Sequence, residues 1–335
     1  MQPIHQAIKS SFVATVTNRT LEIAASKSFT YPTRLAAAWQ PGILEINHPA
    51  YLLPQDDIEI HVDRGSTRSS ILLTKNPLKK LYKRQMPFLR CDEEYLYDCR
   101  FETDKNIAHI LAWTLAPALA ARKILPDLKV ILGANPSPMM TAVCELLELP
   151  TICTNRNLYG KIVSIPSGGR YEAQYPSLFG SLDFAGFNQQ TPERVFIARK
   201  GPRRLLNEQE IEEVLQEYGF QRFYYEDIPV SEQWSVTRNA RCIVALHGAA
   251  LSSLVFNHQA VKLIELFHPG YVVDMYRHMV NAVGGTWSAV TGQITADVIR
   301  DLDFKEKARQ FALRPTKIDP NSLRRALKYM EIDKV

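Results

Sequence analysis

A run of apolar, partly β-branched residues, Cys242-Ile243-Val244-Ala245-Leu246, leads directly into His247-Gly248-Ala249-Ala250-Leu251 and a second apolar stretch ending at Phe256. A run without polar positions predicts a strand covered on both faces, the condition of a parallel sheet. The small residues after it predict a helix opening at Gly248, so His247 falls where a strand ends and a helix begins. In an open α/β sheet that edge receives ligands. A helix start there offers free N–H groups and a partial positive charge to an anion. Gly248 and Ala249 let such a group approach the backbone closely. Taken alone, the same residues also describe a buried turn carrying a hydrogen-bonded histidine.

The pattern on either side supports the sheet. Strands are predicted at 195–198, 222–225, 261–267 and 286–290, with helices at 208–218, 231–240 and 274–283 between them. Asn207 and Ser231 are the expected caps, and Gly219 the expected stop. Such alternation means parallel strands joined by crossover helices, a Rossmann-like domain. The preceding half is less regular. Residues 57–63 alternate polar and apolar, 64–70 read as a turn, and 70–73 as a return strand. A helix begins at Asn106, strands are expected at 128–133, 151–153 and 161–165, and a helix at 138–147. A polar stretch at 184–192 reads as a linker. The expected division is therefore 1–188, 189–312, and a final amphipathic helix within 313–335.

The chain of 335 residues is 46% apolar and 22% charged, with a net charge of +5. That length accommodates two domains, and the mild positive balance suits anionic substrates. No nucleic-acid module accompanies it. The five cysteines lack zinc spacing and suggest no disulfide framework, which points to a reducing compartment. No stretch reaches the roughly 18 apolar residues of a membrane span, and the first residues lack a signal-peptide core. The expectation is a cytoplasmic protein, with peripheral membrane contact open to the basic, aromatic stretch at 75–90. Asp301-Leu302-Asp303 lies in a charged helical stretch and reads as a solvated face, so no metal is expected. No Gly-x-Gly-x-x-Gly follows a strand, which counts against a nicotinamide oxidoreductase.

Six elements recur in one order: Val195 to Arg199, Arg203-Arg204, Asn207-Glu208, Glu232-Gln233, His247-Gly248-Ala249-Ala250-Leu251, and Leu263-Ile264-Glu265. This order resembles glycosyltransferase family 61, over roughly 106–285. Ala198 stands where the family has Ser, and Ala250 where it has Gly. The resemblance implies an α/β GT-B fold, two Rossmann-like domains with the last helix returning to the first. It implies an inverting, metal-independent transferase of a soluble bacterial or viral kind. Xylose or N-acetylglucosamine would pass from a UDP-sugar donor to a glycan or glycoprotein acceptor, with no cofactor. Arg199, Arg203, Arg204, Gln233, His247, Gly248, Ala249, Ala250 and Leu251 would hold the donor, and Glu265 would meet its ribose hydroxyls. Asn207 and Glu208 would position the arginine loop. Asn106 and His109 match the family's Asn-x-x-His, and His109 is the expected base, ahead of Glu94 and Asp98. Trp113 replaces an acid found in relatives. The alternative is therefore a non-catalytic member that binds nucleotide sugars or glycans.

Overall fold

The computed structural model describes residues 16–20, 42–46, 60–67, 88–100, 102–164, 176–180, 182–183, 190–269, 271, 275–293 and 313–335. The basic residues at 75–87, the return strand expected at 70–73 and Asp301-Leu302-Asp303 lie outside them. The protein is mixed α/β and divides into two compact units, one within 52–184 and one within 185–335. Strands β1 (Val16–Thr20) and β2 (Gly42–Ile46) pair antiparallel. They group with the second unit, whereas the linear division had placed them with the first. Among the described residues no helix is long and apolar enough to cross a membrane.

The first unit holds β3 (His61–Ser66), β4 (Leu89–Asp98), β5 (Lys129–Leu132), β6 (Thr151–Cys153) and β7 (Leu158–Ser164). Their order is β3-β7-β4-β5-β6. Strands β4 to β7 run parallel, and β3 lies antiparallel along the β7 edge. Residues 64–66, expected in a turn, thus complete β3. Strand β4 escapes a reading by alternation because its register shifts between Cys91 and Tyr95. Leu89 and Cys91 share a core cluster with Leu96, while Tyr95 and Tyr97 pack into the other cluster. A bulge that inserts residues into a strand exchanges the faces on which odd and even positions fall.

The helical run α1 is α-helical over Ile107–His109, π-helical over Ile110–Leu115 and α-helical again over Ala116–Ile124. Pro117 explains the widened turn. It has no N–H to give to the carbonyl of Trp113, and its ring would clash with that carbonyl in a regular helix. Ala116 N–H bonds instead to Leu111 O, and Tyr97 Oη donates to Trp113 O at 3.4 Å. Helix α2 (Pro138–Leu146) follows β5, its first turn capped by the Ser137 hydroxyl.

The second unit is regular. Its strands are β8 (Arg194–Ala198), β9 (Gln221–Tyr224), β10 (Cys242–Leu246), β11 (Lys262–Phe267) and β12 (Thr286–Thr291). All are parallel, in the order β12-β11-β10-β8-β9. The chain starts at β8, moves outward to β9, then crosses back to β10 and continues the other way. The order therefore reverses between β8 and β10, the place where doubly wound sheets open a crevice. Helix α3 (Glu208–Gln216) follows β8, α4 (Val230–Asn239) follows β9, and α5 (Met275–Ala282) precedes β12. Ser231 lies inside α4, whose N-cap is Pro229.

Even-numbered strand residues, including Phe196, Val244, Ile264 and Val290, share one core with Ile211 and Leu215 of α3. Helix α6 (Pro320–Tyr329) closes that core through Leu323, Ala326 and Leu327. The last helix is thus an integral part of the second unit. The expected return to the first domain is corrected by this packing, which already occupies the apolar face of α6.

Candidate functional site

Arg199 follows β8 and His247 follows β10, so the order reversal brings them together. Arg199 Nη1 donates to the His247 carbonyl at 3.2 Å. Its guanidinium lies against Gly248, where a Cβ would sit 2.0 Å from Nη1. The glycine is required by this approach and not by its backbone angle, which is extended at φ 171°. Among the described residues the carbonyl of His247 is the only hydrogen-bond partner of Arg199. Burial, and then the neighbouring charge of Arg203, lower its pKa from the ordinary guanidinium value. An arginine nonetheless keeps its charge, so a half-buried cation with free N–H groups stands at the reversal point.

A shallow recess opens at the same edge. Arg203, His247, His268, Tyr271, Arg314 and Thr316 line it, with Leu246 and Leu266. Among the described residues, the lining holds two guanidinium groups and two imidazoles, and no carboxylate. Beyond His247 the segment Ala249–Phe256 is a 3-10 helix and not the expected α-helix. Ser252 and Ser253 favour the tighter turn, each donating at 2.7 Å to the carbonyl three residues back. Gly248, Ala249 and Ala250 precede the first internal bond, from Leu251 N–H to Gly248 O at 3.1 Å. Leu251 itself is buried in the core.

Glu265 is the least expected feature. The strand-end position foreseen for it would leave the carboxylate open to ribose hydroxyls. It lies instead inside β11 with 0% exposure. In register, Ala245 and Ala289 flank it, and these two small residues leave room above the strand. Side chains two residues away on a strand share a face, so His247 and Trp287 reach that room from the diagonals. His247 Nδ1 lies 2.5 Å from Glu265 Oε1, and Trp287 Nε1 donates to Oε2 at 2.9 Å. A carboxylate is buried at low cost only when it is bonded in this way. The His247 ring stacks on Phe267 at 5.1 Å, with Tyr271 and Tyr276 within 5.6 Å.

Other expected site residues do structural work. Gln233 is buried and donates to the carbonyls of Tyr225 and Ile228 at 2.7 and 3.0 Å, securing the turn before α4. Asn207 stands at the N-cap of α3 but makes no capping bond. Its amide clasps the backbone of Ile318, donating to O at 2.8 Å and accepting from N–H at 3.1 Å. Glu208 receives the hydroxyl of Tyr224. Arg204 is exposed and donates to Gly201 O at 3.3 Å.

In the first unit, Asn106 caps α1 through Ala108 N–H at 3.0 Å, and His109 is exposed one turn later. Glu94 pairs with Lys129 at 2.5 Å and Asp98 with Arg100 at 2.7 Å, which engages both carboxylates. Sequence reasoning passed over His268, Tyr271, Arg314, Thr316 and Trp287. The rule applied to the end of β10, applied equally to β11, would have found His268 and Tyr271. No local signal marks Arg314 or Thr316, which arrive from a distant segment.

Two comparisons with known proteins bear on the family of the chain. An 84-residue stretch is 32% identical to the EGF domain-specific O-linked N-acetylglucosamine transferase of Drosophila melanogaster. The match takes in 24% of this chain and only 16% of that protein. The family model described as Glycosyltransferase 61 matches residues 74–264, more than half of the chain. That span takes in His109, the arginine loop, the His247 turn and the first half of β11, and the chain belongs to the glycosyltransferase 61 family.

Proposed function

We propose that the protein transfers a sugar from a UDP-sugar to a glycan or glycoprotein acceptor, with inversion and without a metal ion. One observation carries the donor assignment: Arg199, half-buried at the order reversal, has most of its N–H groups unoccupied among the described residues. A diphosphate supplies acceptors for these donors, with the charge to match. Arg203 and the recess behind it extend the same field. As the sugar–phosphate bond breaks, negative charge builds on the leaving diphosphate, and fixed cations stabilise it without rearrangement. Inversion needs one base to take the proton of the acceptor hydroxyl. His109, exposed on α1, is our assignment for it. The GT-B arrangement is the form of the fold that this assignment requires. The name of the Drosophila relative makes UDP-N-acetylglucosamine the first donor to test and UDP-xylose the second.

A thermal-shift series with UDP, GDP, CMP and NAD tests the reading, because a ligand that binds only the folded state raises the Tm. UDP is expected to stabilise the protein with or without chelator, and Arg199→Met to abolish the response. A response to NAD alone, or one that needs added metal, would overturn the assignment.

A further inference from the structure

Glu265 faces two donors that are not equivalent. An indole N–H can only donate, so Oε2 is an acceptor toward Trp287 at any pH. Between Oε1 and His247 Nδ1, 2.5 Å apart, one proton is shared. A carboxylic acid is ordinarily about two units more acidic than an imidazolium. The proton therefore belongs to Nδ1.

We propose that Glu265 and Trp287 are positioning residues that keep His247 protonated on Nδ1, so that His247 binds a donor phosphate through Nε2 only when its ring takes up a second proton. The proposal rests on the donor reading above and adds its regulation by pH. With one proton, the ring carries a lone pair at Nε2, which repels phosphate oxygens. With two, it offers an N–H, and the carboxylate behind it balances the charge. Arg199, Arg203, Arg314 and His268 oppose the second proton. Tyr271 and Tyr276 pack against the ring as uncharged groups. Glu265 and an arriving phosphate favour the proton, so donor and proton bind together. Affinity is therefore highest at low pH, where the ring carries both protons, and falls as pH rises.

Glu265→Gln separates this from a purely structural role. The amide has the same size but offers one acceptor and one donor. Trp287 takes the acceptor, because it can only donate. The NH₂ then faces Nδ1, which must accept, and the ring moves its proton to Nε2. Adding Trp287→Phe removes the competing donor, so the amide oxygen can turn back to Nδ1.

NMR of the full chain labelled with ¹³C,¹⁵N-histidine reads this directly, the signal being identified by its loss in His247→Gln. Nδ1–H is expected in the native protein, Nε2–H in Glu265→Gln, and Nδ1–H again in the double variant. Nε2–H in the native protein, or no change in Glu265→Gln, would overturn the proposal. Calorimetry with UDP-N-acetylglucosamine, whose phosphates have no proton to lose between about pH 5 and 8, reads the consequence. Native affinity should fall by up to about tenfold per pH unit above the titration, and that of Glu265→Gln should stay level. Equal slopes would overturn the proposal. If the native protein binds no nucleotide at any pH, the donor reading fails and the pH gating falls with it. The NMR result still decides the tautomer.

Discussion

Two arginines occupy matching places in the two sheets and have opposite lives. Arg100 follows β4 and Arg199 follows β8, each at the end of the strand beside which the order reverses. Arg100 directs its N–H groups to Asp98 at 2.7 and 2.8 Å, Thr67 Oγ1 at 2.9 Å, and the carbonyls of Thr154 and Arg156 at 3.3 and 2.6 Å. Its side chain is 6% exposed, and that of Asp98 12%. Arg199 has the carbonyl of His247. A guanidinium has five N–H donors. Where all are occupied the residue is a staple, and where most are not it awaits an acceptor. Topology thus nominates the edge in both sheets, and hydrogen-bond saturation is the criterion by which we assign binding to the second.

The sharpest way to break this comparison is to remove the two guanidinium groups one at a time. Arg100→Met leaves Asp98 buried without its partner, and we expect a loss of about 3–5 kcal/mol in urea unfolding with the response to UDP retained. Arg199→Met should leave the unfolding midpoint nearly unchanged while turnover falls by about 10²- to 10³-fold, the range for loss of a charge-stabilising donor. Two similar variants, both unstable or both unresponsive, would show that saturation is the wrong criterion.

A smaller effect is expected from Asn207→Ala, which strands the Ile318 N–H and carbonyl. Stability should drop by about 1–3 kcal/mol, as read by thermal melting, and UDP affinity should follow because the arginine loop loosens. Smallest of all is Gly248→Ala. The new methyl displaces only the far end of Arg199, so the melting temperature should hold while UDP affinity falls about tenfold, or roughly 1.4 kcal/mol. A change in stability with affinity intact would mean that the backbone had moved in place of the side chain.

The two units also differ in how much of them was legible. In the second, β8, β10 and β11 are covered on both faces. β10 reads as an unbroken apolar run and the other two as mainly apolar ones, and the strand-to-turn junction of His247 was visible as such. In the first, β4 carries Arg90, Asp92, Glu93 and Glu94 and changes faces at its bulge. Its period is therefore broken and its charge suggested a loop. The π turn of α1 needed the consequence of Pro117 to be followed back to Trp113. Glu265 misled for a different reason. An acid near a strand end looks solvent-facing, and only the register shows Ala245 and Ala289 making room for it beneath His247. The residues that answer it, His247 and Trp287, are 18 and 22 positions away, beyond any local window. The fate of α6 was likewise hidden, because an amphipathic helix shows that it packs without showing where.

The clasp between Asn207 and Ile318 has a consequence in time. The two residues are separated by 111 positions, and the arginine loop is held in place by that contact. At about 5–20 residues per second, a ribosome finishes the loop on the order of ten seconds before it supplies the segment that fixes it. Until then the cations at the sheet edge have no settled geometry. The edge that we assign to the donor is thus among the last parts of its unit to mature, and on that assignment a nascent chain already holding most of its sheet would still be unable to engage a donor.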